Sequence, residues 1–114
     1  MRPDKNWLND ILDAADEIAY LIQGLDMASF VANRHTRGSV QLQLLFVGEA
    51  VAQLSDGFKS NHAAVAWKQI AGYRNTCIHA YFKTDWDIIW ITASIHAPVI
   101  RNAVAEIIKI EFST

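Results

Sequence analysis

The stretch Trp7-Leu8-Asn9-Asp10-Ile11-Leu12-Asp13-Ala14-Ala15-Asp16-Glu17-Ile18-Ala19-Tyr20-Leu21-Ile22 decides the fold class. Its apolar residues fall at Trp7, Leu8, Ile11, Leu12, Ala15, Ile18, Ala19 and Ile22, the spacing of a helix with one face in a core. A strand would alternate residue by residue, and no part of the chain does. Pro3-Asp4 suits a helix start, and Gly24-Leu25-Asp26 interrupts the stripe at its far end. Asp26 can cap a short second helix through Phe30 and Val31. The polar run Asn33-Arg34-His35-Thr36-Arg37-Gly38-Ser39 reads as a loop or as the first turn of the next helix. From Val40 to Leu54 the pattern is helical again, with Leu44, Val47, Gly48, Val51 and Leu54 on one side. Asp56-Gly57 ends that helix, and Ser60-Asn61 can cap a further one from about Ala63 to Tyr81. Phe82-Lys83-Thr84 is a short connection, and Thr84 or Asp85 caps the last segment, which carries Trp86, Ile89, Trp90 and Ala93. Pro98 inside that pattern predicts a kink or split near His96–Ala97, with a second piece reaching Ile110. The expectation is an all-α fold in one domain, residues 1–114, built as a bundle of four to five helices whose last member is kinked or split near Pro98.

The totals agree with one domain. The chain has 114 residues, of which 52% are hydrophobic and 19% charged, which suits a packed core and excludes disorder. The apolar share exceeds what a small monomer needs and hints at a partner interface. A net charge of −2 is not the footprint of a protein that grips duplex nucleic acid along its length, so any RNA is met at a local site. The single cysteine, Cys77, allows no internal disulfide, and a reducing compartment fits best. The polar start Met1-Arg2-Pro3-Asp4-Lys5-Asn6 carries no signal-peptide pattern. No apolar run approaches the roughly 20 residues of a membrane span, so the expected location is the cytoplasm, with no membrane partner.

One residue breaks the apolar logic. On a helical wheel centred on Arg74, Trp67, Ile70, Ile78 and Tyr81 all fall within about 40°, so an arginine occupies the middle of a mostly apolar stripe. Such a charge either pairs with a carboxylate or looks into an interface or cleft. Glu49, itself stranded in Leu44-Leu45-Phe46-Val47-Gly48-Glu49-Ala50-Val51, is the structural partner the sequence offers, and Gly48 beside it lets a facing helix approach closely. Asn75 and His79 share a neighbouring ridge of the same helix. Two readings stand here: a structural ion pair with ordinary helix residues around it, or a site of guanidinium, amide, imidazole and phenol at one end of one helix.

The string Trp67-Lys68-Gln69-Ile70-Ala71-Gly72-Tyr73-Arg74-Asn75-Thr76-Cys77-Ile78-His79-Ala80-Tyr81 resembles the signature of HepT-like proteins, a branch of the HEPN superfamily. That signature is Arg, a polar residue, three arbitrary residues, His, one arbitrary residue and Tyr. The likeness extends upstream to Gly48-Glu49-Ala50 and downstream to Asp87-Ile88-Ile89-Trp90, and in length and element order it covers the whole chain. Members often carry prolines just before the Trp, where this chain has Ala63 and Ala66, and often Gly between His and Tyr, where it has Ala80.

The resemblance implies a HEPN-type bundle and the toxin half of a type VII-like toxin–antitoxin pair, a metal-independent endoribonuclease. Carried over residue by residue, Arg74 and His79 are catalytic, Asn75, Tyr81 and Glu49 support them, and Tyr81 takes AMP from a cognate minimal nucleotidyltransferase antitoxin that silences the toxin. The chemistry is sensible for RNA. Imidazole titrates near neutrality and moves protons, and guanidinium grips phosphate oxygens through paired donors. Asn75 can fix the orientation and tautomer of His79. One chain supplies one motif histidine, whereas the reaction wants an acid and a base, so the resemblance implies a symmetric homodimer pairing the two motif helices around a composite cleft. His35, His62 and His96 read as surface or capping residues. Arg34, His35 and Arg37 form a small basic loop, solvated or touching RNA phosphates. The sequence holds no cysteine pair, no His-x3-His and no carboxylate cluster with ligand spacing, and no glycine-rich phosphate loop, so no metal and no cofactor are expected. The alternative is a non-catalytic HEPN module that binds a nucleotide or a partner protein.

Overall fold

The computed structural model describes residues 2–83 and 85–112, and only the backbone of residues 79–83. Among the described residues the chain is helical throughout its ordered elements: α1 (Asp4–Leu21), α2 (Met27–Ala32), α3 (Arg34–Gln53), α4 (Asp56–Asn61), α5 (Trp67–Ala71), α6 (Tyr73–Lys83), α7 (Trp86–Ile91), a π-helical turn (Thr92–His96) and α8 (Ala97–Phe112). The expected all-α bundle is therefore the fold. Its long members are α1, α3, the pair α5–α6 and the run α7–α8, with α2 and α4 as short connectors.

Local chemistry sets each boundary. The α1 stripe ends in a turn where Gly24 sits at φ 76°, a left-handed conformation that costs a glycine nothing. Asp26 then caps α2, accepting from the Ser29 amide at 2.8 Å, while Ser29 Oγ accepts from the Asp26 amide at 3.0 Å. The run 33–39 resolves as the first turn of α3, because the Asn33 side chain accepts from the Thr36 amide at 3.1 Å and starts the helix well before Val40. That placement gives Arg37 a structural role: its Nη1 donates to the Val31 carbonyl at 2.7 Å and its guanidinium lies 4.7 Å from the Trp86 ring centroid. Ser55, with its Oγ accepting from the Phe58 amide at 3.2 Å, starts α4, so Ser60 and Asn61 lie inside a helix rather than before one. His62 closes α4 and its Nε2 lies 2.8 Å from Glu111 of α8.

The expected single helix from Ala63 to Tyr81 is shorter and interrupted. Trp67 anchors its start, with Nε1 donating to the His62 carbonyl at 2.9 Å and the ring packing 6.1 Å from Phe58. At Gly72 the regular pattern breaks for one residue before α6 begins. The last segment carries the expected irregularity near Pro98, as a π turn. Pro98 lacks an N–H, so the carbonyl four residues before it has no helical partner, and the chain widens into the π turn instead of splitting. The Ala97 amide reaches back to the Thr92 carbonyl. Trp86–Phe112 is consequently one helical run of 27 residues, long and apolar enough to cross a membrane by length and composition. The sequence reading missed this because it divided the run at Pro98.

Two groups of buried side chains form the core. One joins Leu8 and Ile11 of α1, Val47 and Val51 of α3, Trp67 and Ile70 of α5, and Ile100, Val104 and Ile107 of α8. The other joins Ile18, Phe30, Val40, Leu44, Cys77, Ile89, Ala93 and Ala97. Tyr73 packs against both. Phe30 is the largest fully buried side chain and meets Trp90 in a tilted pair with centroids 5.2 Å apart. Since α2 has only six residues, this ring is its main attachment to the bundle. Phe30→Ala is expected to destabilise the fold by about 3–5 kcal/mol, read from urea denaturation as a lower midpoint with an unchanged slope.

Candidate functional site

The centre of the candidate site is a helix crossing. A Cβ placed on Gly48 would lie 3.2 Å from both Cγ and the backbone N of Arg74 and 3.3 Å from the Ala71 carbonyl. The absent side chain therefore lets α3 run directly against the junction of α5 and α6. One residue further along α3, the Glu49 carboxylate accepts from Arg74 Nη1 at 2.9 Å. A second clamp lies along the same helix pair: Gln41 Nε2 donates to the Cys77 carbonyl at 2.7 Å, and the Cys77 thiol donates to the Gln41 carbonyl at 3.5 Å. Residue 48 thus faces 74 and residue 41 faces 77, so α3 and α6 are antiparallel neighbours.

Arg74 does not sit in the middle of a buried stripe, as the ideal helical wheel places it. Its side chain is 47% exposed and that of Glu49 46%, and Ile78 is also exposed. After Gly72 the buried face of the helix carries Tyr73 and Cys77, leaving Arg74 on its flank. The outcome combines both alternatives open at the sequence level, since the guanidinium is paired with a carboxylate and also open to solvent. Asn75 is exposed on the next position, and its amide bonds the Gly72 carbonyl at 3.1 Å. His79 and Tyr81 lie on the α6 backbone one and two turns beyond, and their side chains lie outside the described residues.

The electrostatics are local. Glu49 is held below its ordinary carboxylate range, first by the Gln53 side-chain amide and then by Arg74. Burial pushes the Cys77 thiol up to about 11, so at neutral pH it is an inert packing residue and not a nucleophile. Burial likewise raises the Tyr73 phenol. A groove of about 460 Å³ between α1 and α3 is lined by Trp7, Asp10, Asp13, Glu17, Phe46 and Glu49 among others. Its carboxylates repel phosphate, which leaves the Arg74 side of the crossing as the approach for an anion. Among the described residues, no three His, Cys, Asp or Glu side chains gather where they could hold a metal ion. His35 is exposed in the first turn of α3, more than three turns before Gly48 on the same helix, and His96 is exposed in the π turn.

Two residues of the site escaped sequence reasoning. Gln41 and Gln53 look like ordinary polar positions on a helix; Gln41 gains its partner Cys77 only from the packing of α3 on α6, whereas Gln53 reaches Glu49 within α3. The spacing of Gln53 four residues after Glu49 was the available signal.

Two outcomes follow from this geometry. Gly48→Ala improves helix propensity by about 1 kcal/mol, yet two of its three nearest contacts are backbone atoms that cannot yield cheaply. A net loss of about 1 kcal/mol is expected, seen as a lower thermal midpoint and a displaced Arg74 signal in NMR spectra. For Glu49, a depressed carboxylate contributes stability that is full above the ordinary value of 4.5 and is lost as pH falls through the folded value. A carbon-detected titration of Glu49 is expected to give a midpoint below 4.5, and Arg74→Ala is expected to move it upward.

Comparison with known proteins places the chain in a family. A "Putative RNase" of Caldanaerobacter subterraneus subsp. tengcongensis is 32% identical over 97% of this chain and 99% of its own length. A "Putative RNase" of Methanocaldococcus jannaschii is 31% identical over 90% of this chain and 94% of its own. A "Probable ribonuclease HepT" of Thermococcus cleftensis is 29% identical over 89% and 92%. No solved structure matches the chain. The model of the family described as "Ribonuclease HepT-like" matches residues 11–107. That span takes in the Gly48 crossing, the Glu49–Arg74 pair and the whole of α6, and the chain belongs to the HepT-like ribonuclease family.

Proposed function

We propose that this chain is a metal-independent endoribonuclease, the toxin of a type VII-like toxin–antitoxin pair, acting in the cytoplasm. The observation that carries the reading is Arg74: a guanidinium tethered through Nη1 to Glu49 and still half open to solvent at the start of the motif helix. A purely structural pair has no need of that exposure, whereas a phosphate-binding cation does. The relatives named as ribonucleases over nearly their full length support the same reaction class.

In the proposed reaction the ribose 2′-oxygen attacks the adjacent phosphorus while a base removes its proton. The bond from phosphorus to the 5′-oxygen breaks, and an acid protonates that oxygen. The products are a 2′,3′-cyclic phosphate and a 5′-hydroxyl. Arg74 neutralises the charge that grows on the non-bridging oxygens, and His79 supplies proton transfer near neutral pH. Asn75, one helical turn before His79, orients the ring.

A second copy of the chain completes the site in this reading, because one protomer offers one motif histidine where two proton transfers are needed. The homodimer is supported by apolar side chains left exposed at Ile78 of α6 and at Ile88, Ile91, Ile95 and Val99 along the last helical run, since clustered exposed apolar groups mark interaction surfaces. Tyr81 is the proposed point of control. An AMP group attached there by a minimal nucleotidyltransferase antitoxin sets a phosphodiester anion beside Arg74 and a base in the path of RNA.

The test is incubation of purified protein with mixed RNA in EDTA, wild type beside Arg74→Ala and His79→Ala, with analysis of fragment ends. Cyclic phosphate ends that form in EDTA, with rates falling by about 10²–10⁴ in each variant, are expected. Equal cleavage by all three proteins means a contaminant. Intact RNA with unmodified Tyr81 by mass spectrometry overturns the ribonuclease in favour of a non-catalytic binding module.

A further inference from the structure

The Glu49 carboxylate is held from both sides. Its Oε1 accepts from Gln53 Nε2 at 3.0 Å, and its Oε2 accepts from Arg74 Nη1 at 2.9 Å. With one partner a half-exposed carboxylate turns freely about its last side-chain bond and exchanges its two oxygens. With a donor on each oxygen it has one preferred plane. Gln53 supplies the second donor from the last turn of α3, about one helical turn after Glu49 and just before Leu54, whose side chain is buried.

We propose that Gln53 is a positioning residue for Arg74, acting through Glu49, so that the guanidinium meets a phosphate in one orientation. The inference rests on the reading of Arg74 as the phosphate-binding cation. Among the described residues the Gln53 side chain hydrogen-bonds Glu49 and not Arg74. Its contact is an exposed pair four residues apart within one helix, a kind that adds little to folding. Its use is orientation, where small displacements of a reacting group cost rate. The Gly48 crossing fixes the stem of Arg74, and the Gln53–Glu49 pair fixes its head. The lowered Glu49 carboxyl, with Gln53 as the first cause and Arg74 after it, agrees with this arrangement. The other ionisable groups that share its groove are Asp10, Asp13 and Glu17 of α1.

The experiment compares wild type, Gln53→Leu, Glu49→Gln, the double variant and Arg74→Ala. It measures single-turnover RNA cleavage across pH, thermal midpoints, and the Glu49 carboxyl titration where Glu49 is kept. Gln53→Leu is expected to slow cleavage by about 3- to 10-fold, to raise the Glu49 midpoint and the acid limb of the rate profile, and to leave the thermal midpoint unchanged. Added to Glu49→Gln, it is expected to change the rate no further, because its route to Arg74 is already cut. A Glu49 midpoint that does not move, a wild-type rate in Gln53→Leu, or a fully additive double variant overturns the proposal. A loss of rate that tracks a loss of stability with an unmoved acid limb overturns it too. Arg74→Ala reports separately on the parent reading. Wild-type cleavage by that variant sinks the catalytic role of Arg74, whereas normal dependence on Arg74 with an indifferent Gln53 sinks only the positioning role.

Discussion

The site depends on two helices coming closer than side chains normally permit. At Gly48 the space a Cβ would need is taken by the Arg74 stem and by the backbone at Ala71 and Arg74. Because α3 and α6 run antiparallel, the residue after that glycine lies at the height of the Arg74 head group. The dipeptide Gly48-Glu49 therefore does two jobs from adjacent positions, one permitting contact and the other supplying the counter-charge. Two turns earlier on α3 the reciprocal bonds between Gln41 and Cys77 fix the register of the same pair. A slip of one residue would break both clamps together, which is why the arginine has a defined neighbour despite its exposure.

The bundle around this crossing is divided, and Tyr73 joins its halves. The first core group ties α1, α3, α5 and α8, and the second ties α2, α7 and the π turn to α3 and α6. Tyr73 contacts both, and it immediately precedes Arg74. Filling the interior with the phenol ring turns the next residue toward the flank of α6, so the orientation of Arg74 follows from packing at its neighbour. The long last run serves both groups as well. Its buried residues Ile89, Ala93 and Ala97 are spaced by four, then Ile100, Val104 and Ile107 alternate three and four. In a regular α-helix repeated steps of four rotate away from a fixed direction. The wider π turn at Thr92–His96 counters that drift and keeps one continuous face on the core while accommodating Pro98.

Much of this was legible before any coordinates. The stripes of α1 and α3 predict helices because their apolar spacing admits no other regular structure, and Asp26 marks the start of α2 through its preference for that position. The partnership of Glu49 with Arg74 follows from two charges stranded in apolar runs. What escaped the sequence is the response of the backbone to crowding. Asn33 captures an amide and draws 34–39 into α3. Gly72 interrupts a helix that the wheel treats as ideal, so Arg74 lands on its edge. Pro98 predicts a disturbance but not its form, because splitting and widening both satisfy the missing N–H. Gln41 gains meaning only from its tertiary neighbour Cys77, which local periodicity does not encode, and Gln53 only once its local partner Glu49 is seen to hold Arg74.

The electrostatic character of the chain explains why one arginine can matter. A net charge of −2 and the carboxylates lining the groove between α1 and α3 oppose a broad attraction for a phosphate backbone. On the proposed reading an RNA strand is held where a cation is presented locally. A fully buried pair of Glu49 and Arg74 would be unsuited to this, since the carboxylate would claim the guanidinium in a low dielectric. A half-exposed pair is screened, and the attraction between its members is weak. Glu49 then orients Arg74 through one of the five N–H donors of a guanidinium without neutralising its reach toward a second anion. On the proposed reading, the carboxylate orients the cation, and the partial exposure of the pair is the property that would let a phosphate compete for it.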